Sequence, residues 1–315
     1  MNSTRNERAE NLIDLMDAIL VEHPQLKQAE HQMESLVRYG QRNPKREKQC
    51  MALIAPSGCG KSTILRNFVA KMNSPEALEE GRIPALYVKL KPTIGKKSMA
   101  QDILFALADL SGKDTTPDHG NENILLEKAV AYLTQARCGI LIIDEFHHVL
   151  LSDSAKQTNA VSETIKWLLL SGPCPVVVAG TDKAWDPFKE NPQLLRRAVS
   201  GVNLSALSKS KKEDRVWFGK FFGQYFNRME ELGVADNATS LVHGDVLNSL
   251  MEASGGIVGN GCKILAEAVR QMAWAGRRDL TEEDFIKGTD RLLIGTSIKS
   301  NPFGEGLRGM KVAAE

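Results

Sequence analysis

Residues 50–63, which read CMALIAPSGCGKST, decide the fold. The apolar run at 50–55 predicts a short buried strand, and an amphipathic helix is predicted to begin after Lys61. A loop containing Gly58 and Gly60 joins the two elements. Glycines let backbone N–H groups wrap a phosphate, and the start of a helix adds positive potential. The stretch therefore predicts a phosphate-binding loop.

This loop fits the Walker A pattern, with Ala55 in place of the usual first glycine. Lys61 is expected to reach the β- and γ-phosphates of ATP, and the hydroxyl of Ser62 is expected to hold Mg²⁺. ATP and Mg²⁺ are thus the predicted cofactors. The predicted nucleotide-binding residues are Pro56, Ser57, Gly58, Cys59, Gly60, Lys61, Ser62 and Thr63.

Residues 140–145, ILIIDE, predict a buried strand that ends in two acids. Walker B strands place an aspartate near Mg²⁺, so Asp144 is the second predicted metal ligand. Glu145 is suited to polarise the attacking water. His147 and His148 follow, but the sequence offers no third metal ligand at a suitable spacing, so a structural or supporting role is predicted for them.

Four short apolar segments alternate with helical patterns: 50–55, 85–90, 139–143 and 176–179. This alternation predicts an α/β fold with a parallel sheet covered on both faces. Beyond about residue 204 only helices are predicted, including an aromatic-rich core helix over 212–232. The predicted divisions are an N-terminal helical segment (1–45), a nucleotide-binding domain (46–205), a helical lid (206–295) and a mobile tail (296–315).

Two further groups are candidates for the catalytic set. Thr181 follows the strand at 176–179, where a polar side chain senses the γ-phosphate, and Asp182 is the second choice. Arg196 and Arg197 are expected on a short helix after Asn191 and Pro192, where an arginine can stabilise the transition state in a neighbouring subunit. Arg197 is favoured over Arg196.

Composition excludes several classes of protein. The chain has 315 residues with 40 Lys plus Arg and 39 Asp plus Glu, so its net charge of +1 excludes a histone-like polycation. No apolar run approaches the ~20 residues of a membrane helix. Five scattered cysteines without a CxxC pair predict a reduced, cytoplasmic protein.

The motifs together resemble those of AAA+ ATPases. Residues 88–93 (VKLKPT), 142–148 (IIDEFHH) and 178–181 (VAGT) make the chain similar to the TniB/TnsC family of transposition regulators. That resemblance implies ATP-dependent assembly of a homo-oligomer, as a ring or helical filament, on double-stranded DNA. It also implies that the assembly links a TniQ-type target selector to a TnsB-like transposase.

Lysines near the second strand are the predicted DNA contacts. Lys91, Lys96 and Lys97 can bind phosphate without reading sequence, and Thr93 can donate a neutral hydrogen bond. A second cluster, Lys209, Lys211 and Lys212, is interpreted as a solvated face near the start of the lid.

Several alternatives stay open. The helical region is too short for a second helicase domain, and no ABC signature precedes the Walker B strand, so those two classes are excluded. A helicase-loader-like or signalling AAA+ ATPase remains, as does an ATP-gated scaffold with little need for hydrolysis. Where many AAA+ lids carry an arginine sensor, the sequence offers only Lys263.

Overall fold

The computed structural model describes residues 2–21, 24–91, 96–112, 121–150, 155–293 and 300–306. The chain forms two compact units, one of residues 24–205 and one that joins residues 1–23 to residues 206–315. The structure therefore groups the first helix with the C-terminal helices. The second helix, which the sequence analysis had placed in the same N-terminal segment, lies with the sheet.

The unit of residues 24–205 is built on a five-stranded parallel sheet. Its strands are β1 (Cys50–Ile54), β2 (Ala85–Lys89), β3 (Ile140–Asp144), β4 (Val176–Gly180) and β5 (Val202–Asn203), in the order β2-β3-β4-β1-β5. Every residue of β3 and β4 is buried, so both faces of the sheet are covered there. The predicted α/β fold class is confirmed.

The helices of the chain are α1 (Asn2–Asp17), α2 (Pro24–Arg42), α3 (Lys61–Met72), α4 (Pro75–Glu79), α5 (Lys96–Ser111), α6 (Glu122–Gln135), α7 (Ala155–Ser171), α8 (Asp186–Glu190), α9 (Pro192–Leu195), α10 (Lys212–Glu231), α11 (Gly244–Ala253), α12 (Val258–Trp274), α13 (Glu282–Leu293) and α14 (Pro302–Gly306). Within the sheet unit, α5 packs against α6 and α7, while α2 packs against α3. None of the described helices combines the length and the apolar character that crossing a lipid bilayer requires.

One feature of this unit differs from the sequence analysis. Four strands were predicted, and each lies within one residue of its expected bounds, but β5 was missed. It contains only two residues, which pair with Leu53 and Ile54 and carry no usable periodicity. The polar residues that follow α2 are exposed at 44–47, whereas Lys48 is buried and its ammonium donates to the Asn43 and Pro44 carbonyls.

The second unit is a bundle in which α1 packs on α12, and α12 packs on α13. The aromatic side chains of α10 are in its core, as predicted for 212–232. The prediction of a mobile tail is wrong for residues 300–306. Phe303 is fully buried and stacks on Phe285, with ring centroids 5.1 Å apart; the rest of that segment, 296–299 and 307–315, lies outside the described residues.

Candidate functional site

The site lies where three neighbouring strands end. Because β4 pairs with both β1 and β3 in parallel, the segments that follow these strands meet at one edge of the sheet. A hydrogen bond from Ala55 N to Gly180 O, 3.0 Å long, joins the start of the phosphate loop to the end of β4. The sheet order thus brings the two predicted motifs together.

The phosphate loop occupies residues 55–60, and α3 begins at Lys61. Gly58 and Gly60 have φ angles of 86° and 77°, a left-handed conformation that a side chain at either position would strain. Lys61 is only 6% exposed, while Pro56, Ser57 and Thr63 face solvent. The loop residues therefore surround the N-terminus of a twelve-residue helix, a position that favours an anion.

Asp144 is the centre of a buried hydrogen-bond network. The carboxylate is fully buried, and its Oδ2 accepts a 2.6 Å hydrogen bond from Ser62 Oγ. The backbone N–H of Glu145 donates to Oδ1 at 2.8 Å. The residues that the sequence assigned to Mg²⁺, 82 positions apart, are thus in direct contact.

Tyr87 belongs to this network, although the sequence analysis did not single it out. Its hydroxyl donates to Asp144 Oδ2 at 2.8 Å from the neighbouring strand β2. Burial, together with the Asp144 carboxylate, raises the pKa of Tyr87 to about 12. Tyr87 therefore remains a neutral donor at physiological pH. An aromatic residue in a strand gave no signal of this role.

A hard divalent cation fits the pair of Ser62 and Asp144. Both offer oxygen, the donor that Mg²⁺ prefers, and the carboxylate supplies the negative charge. Because Ser62 Oγ and Asp144 Oδ2 are 2.6 Å apart, both oxygens are close enough to bind the same cation beside the phosphate loop.

Glu145 projects from a strained position at the end of β3. Its φ angle of 55° is one of two positive values that described non-glycine residues adopt. Its carboxylate is 3.4 Å from His147 Nε2, and both side chains are about one-fifth exposed, at 24% and 20%. Burial lowers the pKa of His147, against the attraction of Glu145, so the ring is neutral at pH 7.

Of the other predicted catalytic residues, Thr181 lies at this edge, whereas Arg197 lies at the opposite end of β1, where its carbonyl accepts a 3.0 Å hydrogen bond from Cys50 N. Thr181 directly follows β4 and is partly exposed at the start of a 3₁₀ turn, while Asp182 is exposed. Arg197 donates to Glu47 in a 2.7 Å ion pair and to the Gln193 carbonyl at 2.8 Å. Arg196, in contrast, is exposed to solvent.

The predicted DNA contacts are described only in part. The Lys91 side chain is 66% exposed, and its ammonium lies 5.0 Å from the centre of the Phe105 ring and 3.9 Å from the Asp102 carboxylate. Lys97 is exposed in the first turn of α5. Thr93 lies outside the described residues, and so does the side chain of Lys96.

Comparison with known proteins gives a family and a fold. The model of the family described as Bacterial TniB protein matches residues 14–203, more than half of the chain. No curated protein sequence matches significantly.

Among solved structures, Cdc6p from Pyrobaculum aerophilum has a TM-score of 0.61 at 14% identity over 90% of this chain and 72% of that one. The ORC2 protein of Aeropyrum pernix, in ADPNP and ADP complexes, has a TM-score of 0.59 at 16% identity over 88% and 71%. Drosophila ORC bound to DNA has 0.55 at 13% identity over 91% and 66%. At these identities the likeness concerns the fold alone, and it confirms the predicted AAA+ architecture.

Proposed function

The chain belongs to the TniB family, and on that premise we propose that it is an ATP-hydrolysing AAA+ regulator of DNA transposition. It assembles on double-stranded DNA when ATP is bound, and it links a TniQ-type target selector to a TnsB-like transposase. Hydrolysis then releases the assembly. The contact between Ser62 and Asp144, with Glu145 next to it, is the observation that carries the ATPase part of this proposal.

Each member of the site has a separate task in this proposal. Lys61 and the loop N–H groups bind the phosphates, while Ser62 and Asp144 hold Mg²⁺, which neutralises charge on the β- and γ-phosphates when bound. Glu145 accepts a proton from the attacking water. Thr181, at the end of the strand between the two motifs, senses the γ-phosphate.

In the assembled oligomer, a positively charged side chain of the neighbouring subunit completes the catalytic site. An arginine from the next subunit stabilises the transition state, and Arg196 and Arg197 are the candidates. Arg196 is exposed, whereas Arg197 must first exchange its contact with Glu47 for the phosphate. A site completed in this way turns ATP over only when subunits are assembled, which couples hydrolysis to the filament or ring.

Exposed lysines beside β2 supply the DNA contact in this proposal. Lys91 follows β2 and Lys97 opens α5, so both charges border the same connection. Contacts from lysine to phosphate carry no base readout, which suits a protein that accepts many targets. The solved ORC structure with DNA shares the fold and is compatible with such a partner.

Retention on DNA tests this proposal. Wild-type protein is expected to stay on double-stranded fragments of unrelated sequence with ATP and Mg²⁺, and to wash off with ADP. Electron microscopy of the same samples should show rings or filaments only in the retained state. Retention without ATP, or ATP-bound protein that never binds DNA, would refute the transposition part and favour a loader or signalling ATPase.

A double charge reversal locates the DNA surface. Lys96→Glu with Lys97→Glu should abolish retention while ATP binding is unchanged. Lys211→Glu with Lys212→Glu makes the same charge change at two exposed lysines of the other unit and serves as the matched control. If the Lys96/Lys97 variant is retained on DNA and the Lys211/Lys212 variant is not, the DNA surface lies on the unit that contains residues 206–315.

A further inference from the structure

Three metal-binding side chains converge beside the nucleotide site. One ligand atom from each of Glu145, His147 and His148 lies within 4.8 Å of the other two. Two imidazoles and one carboxylate with room for a further ligand are a common donor set for zinc and related divalent cations. The sequence analysis found no third ligand at a suitable spacing for the two histidines, but the structure brings the Glu145 carboxylate to them.

The backbone brings two of these side chains to one face. Residues 146–150 form a 3₁₀ helix, and the His148 N–H donates to the Glu145 carbonyl at 2.9 Å. Glu145 precedes this helix with a positive φ angle of 55°. The hydrogen bond closes a turn between Glu145 and His148, and their ligand atoms lie within 4.8 Å of each other.

Gly180, the last residue of β4, has no side chain and therefore leaves room for the third metal-binding residue, His147. A Cβ atom on Gly180 would lie 3.2 Å from His147 Nδ1, and 2.8 Å from the Cβ of Ala184. Glycine at this position lets the His147 ring settle against the strand, with its ring centre 4.6 Å from that of His148.

Each ring has a nitrogen available for a cation. His148 uses Nδ1 for a 3.1 Å contact with the Leu90 carbonyl, which leaves Nε2 with its lone pair. A carbonyl on the far nitrogen is the usual support for a metal-bound histidine. His147 Nε2 is 3.4 Å from Glu145 Oε2, close to the roughly 3.3 Å between two ligands that bind one zinc ion at about 2.0–2.1 Å.

We propose that Glu145, His147 and His148 form a binding site for a zinc-class divalent cation, distinct from the Mg²⁺ position at Ser62 and Asp144. Two imidazoles select against Mg²⁺, which binds oxygen and sheds water reluctantly. Because an ion here occupies the Glu145 carboxylate, it withdraws that group from the attacking water. The regulatory part rests on the proposed ATPase function, whereas the binding part does not.

Direct metal titration tests the site without reference to activity. Tag-free, full-length protein in excess Mg²⁺ is titrated with Zn²⁺ against a chromophoric chelator, and with Co²⁺ for its visible spectrum. We expect one ion per chain and a spectrum without a thiolate charge-transfer band. Loss of a residue that only hydrogen-bonds to a metal ligand typically weakens metal binding about 10- to 100-fold. His147→Gln and His148→Gln each remove a ligand, so each should weaken Zn²⁺ binding by more than that.

The control is His31→Gln, which removes an exposed histidine on α2 of the same unit. It should bind the ion as wild type does. No stoichiometric binding, a thiolate band, or equal affinity in His148→Gln and His31→Gln would each overturn the site.

ATP turnover then tests the regulatory part. Zn²⁺ should inhibit wild type and His31→Gln at the occupancy measured by titration, and a chelator should restore the rate. The rate of His148→Gln, expressed relative to its own metal-free rate, should not fall at the Zn²⁺ concentration that inhibits wild type. Bound Zn²⁺ without inhibition would overturn the regulatory part, while a chain inactive under every condition would refute the ATPase proposal and leave the titration result standing.

Discussion

Removing one hydroxyl from the buried network around Asp144 gives a prediction with a calculable size. Tyr87→Phe deletes the 2.8 Å donor to Oδ2 but keeps the ring that packs under Arg66. A hydrogen bond to a charged group contributes about 1.5–3 kcal/mol to stability. Asp144 has no exposed surface, so water cannot replace the lost donor.

The expected result is a loss of about 1.5–3 kcal/mol in the free energy of unfolding, without nucleotide and at neutral pH. For a unit of this size, that corresponds to a fall of roughly 3–12 °C in Tm. Urea unfolding followed by circular dichroism measures the first quantity, and calorimetry measures the second.

Tyr132→Phe is the matched control. Tyr132 is also half-buried in the sheet unit, and its hydroxyl makes no hydrogen bond among the described residues. It should change stability by less than about 0.5 kcal/mol, as most substitutions without a lost contact do. If Tyr87→Phe is as mild as this control, the claim that Tyr87 supports a buried, charged Asp144 is refuted.

Three other substitutions test separate parts of the structure. Gly180→Ala puts a Cβ 2.8 Å from the Cβ of Ala184 and should cost about 1–3 kcal/mol by overpacking, so an unchanged Tm would contradict the close approach. Burial alone would raise the pKa of Glu267, but hydrogen bonds from Arg291 and Arg270 outweigh it and lower that pKa below 4.5. Glu267→Gln should therefore lower Tm at pH 7. The difference in Tm between wild type and variant should vanish as pH falls through the lowered pKa. Phe303→Ala should destabilise the C-terminal unit by about 3–5 kcal/mol, whereas a mobile segment would tolerate it in the same thermal melt.

The motifs could be predicted because their chemistry is local. The phosphate loop is recognised from a few consecutive residues, because its glycines lie between a strand and a helix. The two acids at the end of an apolar strand are equally local. The apolar strands were also predictable, since buried parallel strands read as continuous hydrophobic runs. The contact between Ser62 and Asp144 then follows from the sheet order.

The features that were missed depend on residues far apart in the chain. Tyr87 reaches Asp144 only because β2 and β3 are neighbours in register, which periodicity does not reveal. The packing of α1 on α12 joins segments more than 200 residues apart. Phe303 lies in a glycine-containing segment with few apolar residues, so its burial on Phe285 left no pattern in the sequence.

The most direct test of the account compares ATP turnover by wild type and by Glu145→Gln, with and without double-stranded DNA. Loss of a general base typically costs about 10²- to 10⁴-fold in rate. The account predicts DNA-stimulated turnover in the wild type, a rate lower by that factor in Glu145→Gln, and unchanged ATP binding and assembly on DNA. Equal rates in the two proteins would contradict the central claim that Glu145 and its neighbours hydrolyse ATP.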